Sequence, residues 1–196
     1  MNKAISVAFI ALLVTLLACA QANSQKPTNA PPPQSETASP SPKYYKSLKV
    51  QATQLSDAVL GGDYAKVADL TFPKLVELMG GRTQFMATLE QSMKDTQSEQ
   101  FQLLSTTVDD PQDIIEVEKR IYAIVPTTMN IKVPEGTLVG RSFMIAVSDD
   151  NGENWTFVAA AGDDQGRLKI LFPAAADKLR IPKTEKPVLH RERPPG

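Results

Sequence analysis

Cysteine and histidine are nearly absent from the chain, with one of each in 196 residues. A zinc site cannot be assembled from so few thiolate and imidazole ligands. No metal site is expected, and no motif implies a cofactor. Charge of one sign is lacking too: 21 Lys plus Arg stand against 22 Asp plus Glu, a formal net charge of −1, and no Lys/Arg block occurs. Phosphate-backbone binding needs concentrated positive charge, so no nucleic-acid partner is expected. Long apolar runs reduce to one, Ala4 to Ala18. At about 15 residues it is short of the roughly 20 that a spanning helix needs, and with Lys3 before it the run has the shape of a secretory signal.

That run ends Leu16-Leu17-Ala18-Cys19, which resembles the bacterial lipobox. The resemblance implies that residues 1–18 are a lipoprotein signal peptide. Cys19 then becomes the first mature residue, carrying thioether-linked diacylglycerol and usually an amide-linked third chain. Several acyl chains at ~0.8 kcal/mol per buried CH₂ anchor a protein stably. Ala20, rather than Asp, resembles the outer-membrane sorting pattern of enteric-type bacteria. A membrane partner through the lipid anchor is therefore expected, at the cell envelope and facing the periplasm. The alternative is an ordinary signal peptide with a chance Cys, which would leave an unpaired exported thiol. From residue 20 to 43 come six prolines, many Ser, Thr, Gln and Asn, and no aliphatic side chain larger than Ala. Such a composition cannot offset the entropy of ordering, so residues 19–43 read as a lipidated Cys followed by a disordered, polyproline-like tether. At ~3.1 Å per residue it reaches about 75 Å.

Residues 44–182 form the expected domain and 183–196 a flexible, mildly basic tail. Ser41-Pro42 offers a helix start, Tyr45, Leu48, Leu55 and Val59 recur near helical spacing, and Gly61-Gly62 stops the run. Asp63 caps a second short helix, Pro73 starts a third, and Phe85, Met86, Leu89 and Met93 mark a fourth. After Gln100 the period changes to two. Ile115, Val117, Ile121, Ala123 and Val125 alternate with Glu116, Glu118, Arg120 and Tyr122, predicting one half-buried strand, and Val139, Phe143, Ile145 and Val147 predict its partner. Pro134-Glu135-Gly136 suits a three-residue hairpin loop that pairs Val133 with Thr137 and Val125 with Ile145. Pro126 should bend its strand or sit at a bulge. Trp155, Phe157 and Ala159 predict the next strand, and Leu168, Ile170 and Phe172 the last.

Helices first and an antiparallel meander second make an α+β domain with its helices on one face of a curved sheet. The step Gly62-Asp63-Tyr64 between helices and the Asn151-Gly152 turn before Trp155-Thr156-Phe157 are similar to the NTF2-like superfamily of cone-shaped domains. That superfamily mixes isomerases, dehydratases, hydrolases and non-catalytic modules, so the resemblance implies a fold and a cavity without selecting an activity.

The run Ser148-Asp149-Asp150-Asn151-Gly152-Glu153-Asn154-Trp155 resembles the Asp-box of β-propellers, here in one copy, and predicts a structural turn over a sugar- or cation-binding loop. NTF2-like enzymes usually place an acid, His or Tyr inside the cone, yet no His precedes His190, and no nucleophile has a recognisable base beside it. No catalytic residue is assigned; the helix-borne carboxylates Asp57, Asp69 and Glu90 are the reserve candidates. Arg141 breaks the apolar alternation of its strand. It reads either as a cation snorkelling to water or as the orienting group of an anion pocket walled by Phe143, Trp155 and Phe157. Lys119 should lie beside Asp149 and Asp150. The leading expectation is a non-enzymatic module that binds a small apolar or anionic ligand, or docks an envelope protein partner. A small hydrolase, isomerase or dehydratase and a spacer with a filled core are the alternatives. The cavity separates them: apolar for the binder, bearing a carboxylate for the enzyme, filled for the spacer.

Overall fold

The structure, a computed structural model, describes residues 42–98, 101–160, 165–183 and 185–191; the signal, Cys19 and nearly all of the tether lie outside them. Helix α1 (Pro42–Gly61) buries Leu48, Ala52, Leu55 and Ala58, one apolar stripe at helical spacing. Gly62 closes it at φ +71, a left-handed geometry that glycine adopts without steric cost. Asp63 then caps α2 (Tyr64–Leu70), its Oδ1 accepting the Lys66 N–H at 3.0 Å. Pro73 occupies the first turn of α3 (Pro73–Leu78), where its missing N–H costs nothing, and α4 (Gly81–Ser98) follows.

The sheet is antiparallel and built on two long strands, β3 (Arg120–Val133) and β4 (Gly136–Ser148). Two shorter strands, β1 (Gln102–Val108) and β2 (Gln112–Val117), lie end to end along the free edge of β3. The opposite edge of β4 carries β5 (Thr156–Ala160) and β6 (Val188–Arg191) in the same way. Pro126 is accommodated without a shift in the β3–β4 ladder, where it pairs with Phe143. Its carbonyl accepts the Asp109 N–H at 2.9 Å, just where β1 ends. Its absent N–H points to that same edge, so no bond to β4 is lost.

Four expectations are corrected. The hairpin pairs Val133 with Gly136 across the two residues Pro134 and Glu135, one position away from the expected register, so Val125 faces Met144 and Ile124 faces Ile145. A one-residue difference turns every β4 side chain to the other face. The run 115–125 is a hairpin: Glu118 and Lys119 take φ +54 and +67, a tight turn with both central residues left-handed. Arg120, not Lys119, consequently pairs with Asp149. The expected last strand is instead helix α5 (Gln165–Leu171) running into successive turns, in which Leu168, Leu171, Phe172, Ala175 and Leu179 are buried while Ile170 is exposed. Lastly, part of the expected tail, Val188–Arg191, joins the sheet as β6, with His190 exposed and paired with Thr137.

The expectation of helices on one face is corrected too, because the centre of the sheet is covered on both faces and α5 lies on the second. Ile121, Ala123, Val125, Met144 and Ala146 pack with α1, α2 and α4, together with Phe85, Trp155 and Phe157. Tyr122, Ile124, Phe143, Ile145 and Val147 pack with Phe72 and with residues 168–179. Phe172 stands 5.0 Å from Phe72 and edge-on to Tyr122 at 5.7 Å, ring centre to ring centre. The described residues thus form an α+β domain whose antiparallel sheet is not closed.

Candidate functional site

The layer between helices and sheet is not filled. A cavity of about 320 Å³ lies there, within the size range of small-molecule sites. Leu55 and Val59 of α1, Val67 of α2 and Leu89 and Met93 of α4 line the helical side. Met129 and Met144 line the sheet side, and exposed Leu60 and Gln102 stand at the rim. Among the described residues that line it there is no Asp, Glu, Lys, Arg or His side chain. Three lining hydroxyls are committed to the backbone: Thr71 donates to the Val67 carbonyl at 2.7 Å, Thr96 to that of Ser92 at 2.9 Å, and Ser142 to that of Ala160 at 3.4 Å. Ser92 differs. It is 6% exposed, and its Oγ is buried with no hydrogen-bond partner.

Of the expected ligand-binding residues, Phe143 and Phe157 border this cavity and Arg141 and Trp155 do not. Arg141 pairs with Thr128, has a side chain 70% exposed, and lies 3.4 Å from Glu185. The placement of this cation inside a pocket is corrected: Arg141 is not among the residues that line the cavity, and its side chain stands in solvent. Trp155 is buried beneath the loop that precedes it, its indole N–H donating to the Gly152 carbonyl at 3.0 Å and to Ser47 Oγ at 3.2 Å. The reserve carboxylates all lie exposed: Asp57 on the outer side of α1, Asp69 paired with Arg82, and Glu90 paired with Lys94 at 2.7 Å. The helical half of the cavity was missed in the sequence. Its signal is the stripe Phe85, Leu89, Ser92 and Thr96, in which hydroxyls occupy positions that helical spacing assigns to an inward face.

The acidic loop is a self-contained turn. Ser148 Oγ accepts the Gly152 N–H at 2.9 Å, and Asp150 accepts the N–H groups of Asn154 at 2.9 Å and Glu153 at 3.2 Å. Asn154 Nδ2 donates to the other Asp150 oxygen at 2.7 Å. The Asn154 backbone and side-chain donors, with smaller help from Ser148 and Glu153, hold the Asp150 carboxyl well below the ordinary 3.8, at about 2. A depressed folded-state value means that the anion's contribution is complete above the unfolded value and is lost as the pH falls from about 4 to about 2. Asp150→Ala should therefore lower the unfolding midpoint at neutral pH and flatten its fall across that window. A fall as steep as the wild type's, followed by circular dichroism, would show that the turn does not depend on this carboxylate. Among the described residues no group of three or more His, Cys, Asp or Glu is placed to hold a metal ion.

A scan of protein-family models finds none that matches the chain, and a search of curated proteins likewise finds no match. What the site can do rests on its own chemistry. It can exclude water from an apolar molecule and offer that molecule hydroxyl groups, the Tyr64 phenol among them, but its described lining residues carry no carboxylate, imidazole or fixed charge.

Proposed function

We propose that the chain is a lipid-anchored protein of the bacterial cell envelope, on the outer membrane facing the periplasm, whose domain is an NTF2-like cone that binds a small apolar ligand and performs no catalysis. The observation that carries this reading is the cavity of about 320 Å³ with no charged side chain among the described residues that line it. A general acid or base must reach the reacting atoms, and Asp57, Asp69 and Glu90 are exposed on their helices and absent from the cavity lining. A filled spacer core would leave no such volume. The address rests on the motif Leu16 to Cys19 and on the proline-rich segment after it.

Two readouts from one preparation test both halves. Native protein extracted from membranes should carry acyl mass at Cys19, and Cys19→Ala should leave the membrane fraction; an unmodified N-terminus beyond Cys19 would contradict the anchor. The same preparation should release a small uncharged compound into organic solvent. Ala159→Phe, which fills the cavity from β5, should release none. Equal release from both proteins would place the compound elsewhere.

A further inference from the structure

We infer that the ligand is an uncharged amphiphile of about ten non-hydrogen atoms whose single hydroxyl or carbonyl group bonds to Ser92 Oγ. The inference rests on the reading of the cavity as a ligand site and adds the polarity, size and anchoring residue.

Size follows from volume: at ~30 Å³ for each water-sized group, 320 Å³ holds about ten of them. Charge is excluded by the walls. A carboxylate, phosphate or ammonium would leave water for a site with no counter-charge among the described residues that line it, a cost that apolar contact does not offset. The polar group is indicated by Ser92. Thr71, Thr96 and Ser142 spend their hydroxyls on carbonyls of the protein itself, whereas Ser92 Oγ, on a residue more than nine-tenths buried, has no partner. A buried hydroxyl without a partner is unfavourable, and one that is satisfied only when the site is filled favours ligands able to satisfy it. A hydroxyl both donates and accepts, so a ligand alcohol or carbonyl suits it equally. The rest of the molecule would lie against Leu55, Leu89, Met129 and Met144.

Methionine places reporters where the test needs them. The chain has six; Met1 belongs to the signal peptide that the proposed anchor removes, Met93, Met129 and Met144 line the cavity, and Met79 and Met86 pack outside it. With the five methionine methyls of the mature, lipidated chain labelled with carbon-13 and the protein held in nanodiscs, 1-octanol, octanoate and ethylbenzene are titrated and followed by NMR. Octanol and ethylbenzene should shift the three cavity methyls and leave the other two in place, and octanoate should shift none. Ser92→Ala should weaken octanol about three- to tenfold, the loss of one hydrogen bond, and leave ethylbenzene unchanged. Octanol binding that survives Ser92→Ala undiminished would overturn the anchor while leaving the cavity a ligand site. Octanoate binding as tightly as octanol would overturn the exclusion of charge. Cavity methyls unmoved by octanol and ethylbenzene alike would overturn the ligand site itself, and the inference with it.

Discussion

Trp155→Ala should lower the free energy of unfolding by about 3–5 kcal/mol, the range for truncating a large buried aromatic. The indole is 1% exposed and belongs to the core between helices and sheet. Its loss also removes one of the donors that tie the loop to α1, since Nε1 reaches both the Gly152 carbonyl and Ser47 Oγ, which itself donates to that carbonyl at 2.6 Å. The Trp155 backbone N–H is held from the same helix by Gln51 Oε1 at 2.8 Å. The loop, the start of β5 and α1 are therefore one packed unit. Denaturant titration measures the effect, and a loss below about 1 kcal/mol would mean that the loop and helix are not coupled through the indole.

Gly152→Ala should destabilise the same unit by about 2 kcal/mol or more, because two penalties coincide. The residue sits at φ +84, where a Cβ is strained whatever the space. That Cβ would also stand 2.2 Å from Tyr44 Cδ1 and 3.0 Å from Tyr44 Cγ, so the whole ring at the start of α1 must move. Neighbouring Asn151, at φ +59 with a side chain suited to the left-handed region, tests the conformational part alone. Asn151→Gly should be close to neutral. An unfolding midpoint for Gly152→Ala equal to the wild type's would show that α1 does not pack on this turn.

Helix punctuation was legible because it is written in single residues with single causes. Pro42, Gly62, Asp63 and Pro73 each do at an end what their chemistry dictates. The strands were legible as strands but not in their pairing. The turn at Glu118 and Lys119 carries neither Gly nor Asn, so nothing in the alternation marks where the chain reverses. Gly136, at φ +144 and paired with Val133, opens β4 instead of closing the loop, and the register moves by one. Leu168, Ile170 and Phe172 fit a period of two, while Leu168, Leu171, Phe172, Ala175 and Leu179 fit a helix; burial of the second sheet face selects the helix and leaves Ile170 at 59% exposure. The α+β class survived these shifts because it depends on the order of elements, not on their register. The candidate site did not survive them intact. Phe143 and Phe157 border the cavity, but Arg141, assigned to a pocket because it breaks the apolar alternation, stands in solvent near Glu185. A cavity is space that side chains leave empty, and residue types specify what fills a core better than what does not.

Xenon offers the most direct test of the central claim that this apolar cavity admits a ligand, because it enters such space by dispersion alone and needs no polar group. With xenon dissolved under pressure, the methyl resonances of Met93, Met129 and Met144 should shift in a saturable way while those of Met79 and Met86 stay in place. Cavity methyls that do not move, or five methyls that drift together in proportion to pressure, would contradict the account.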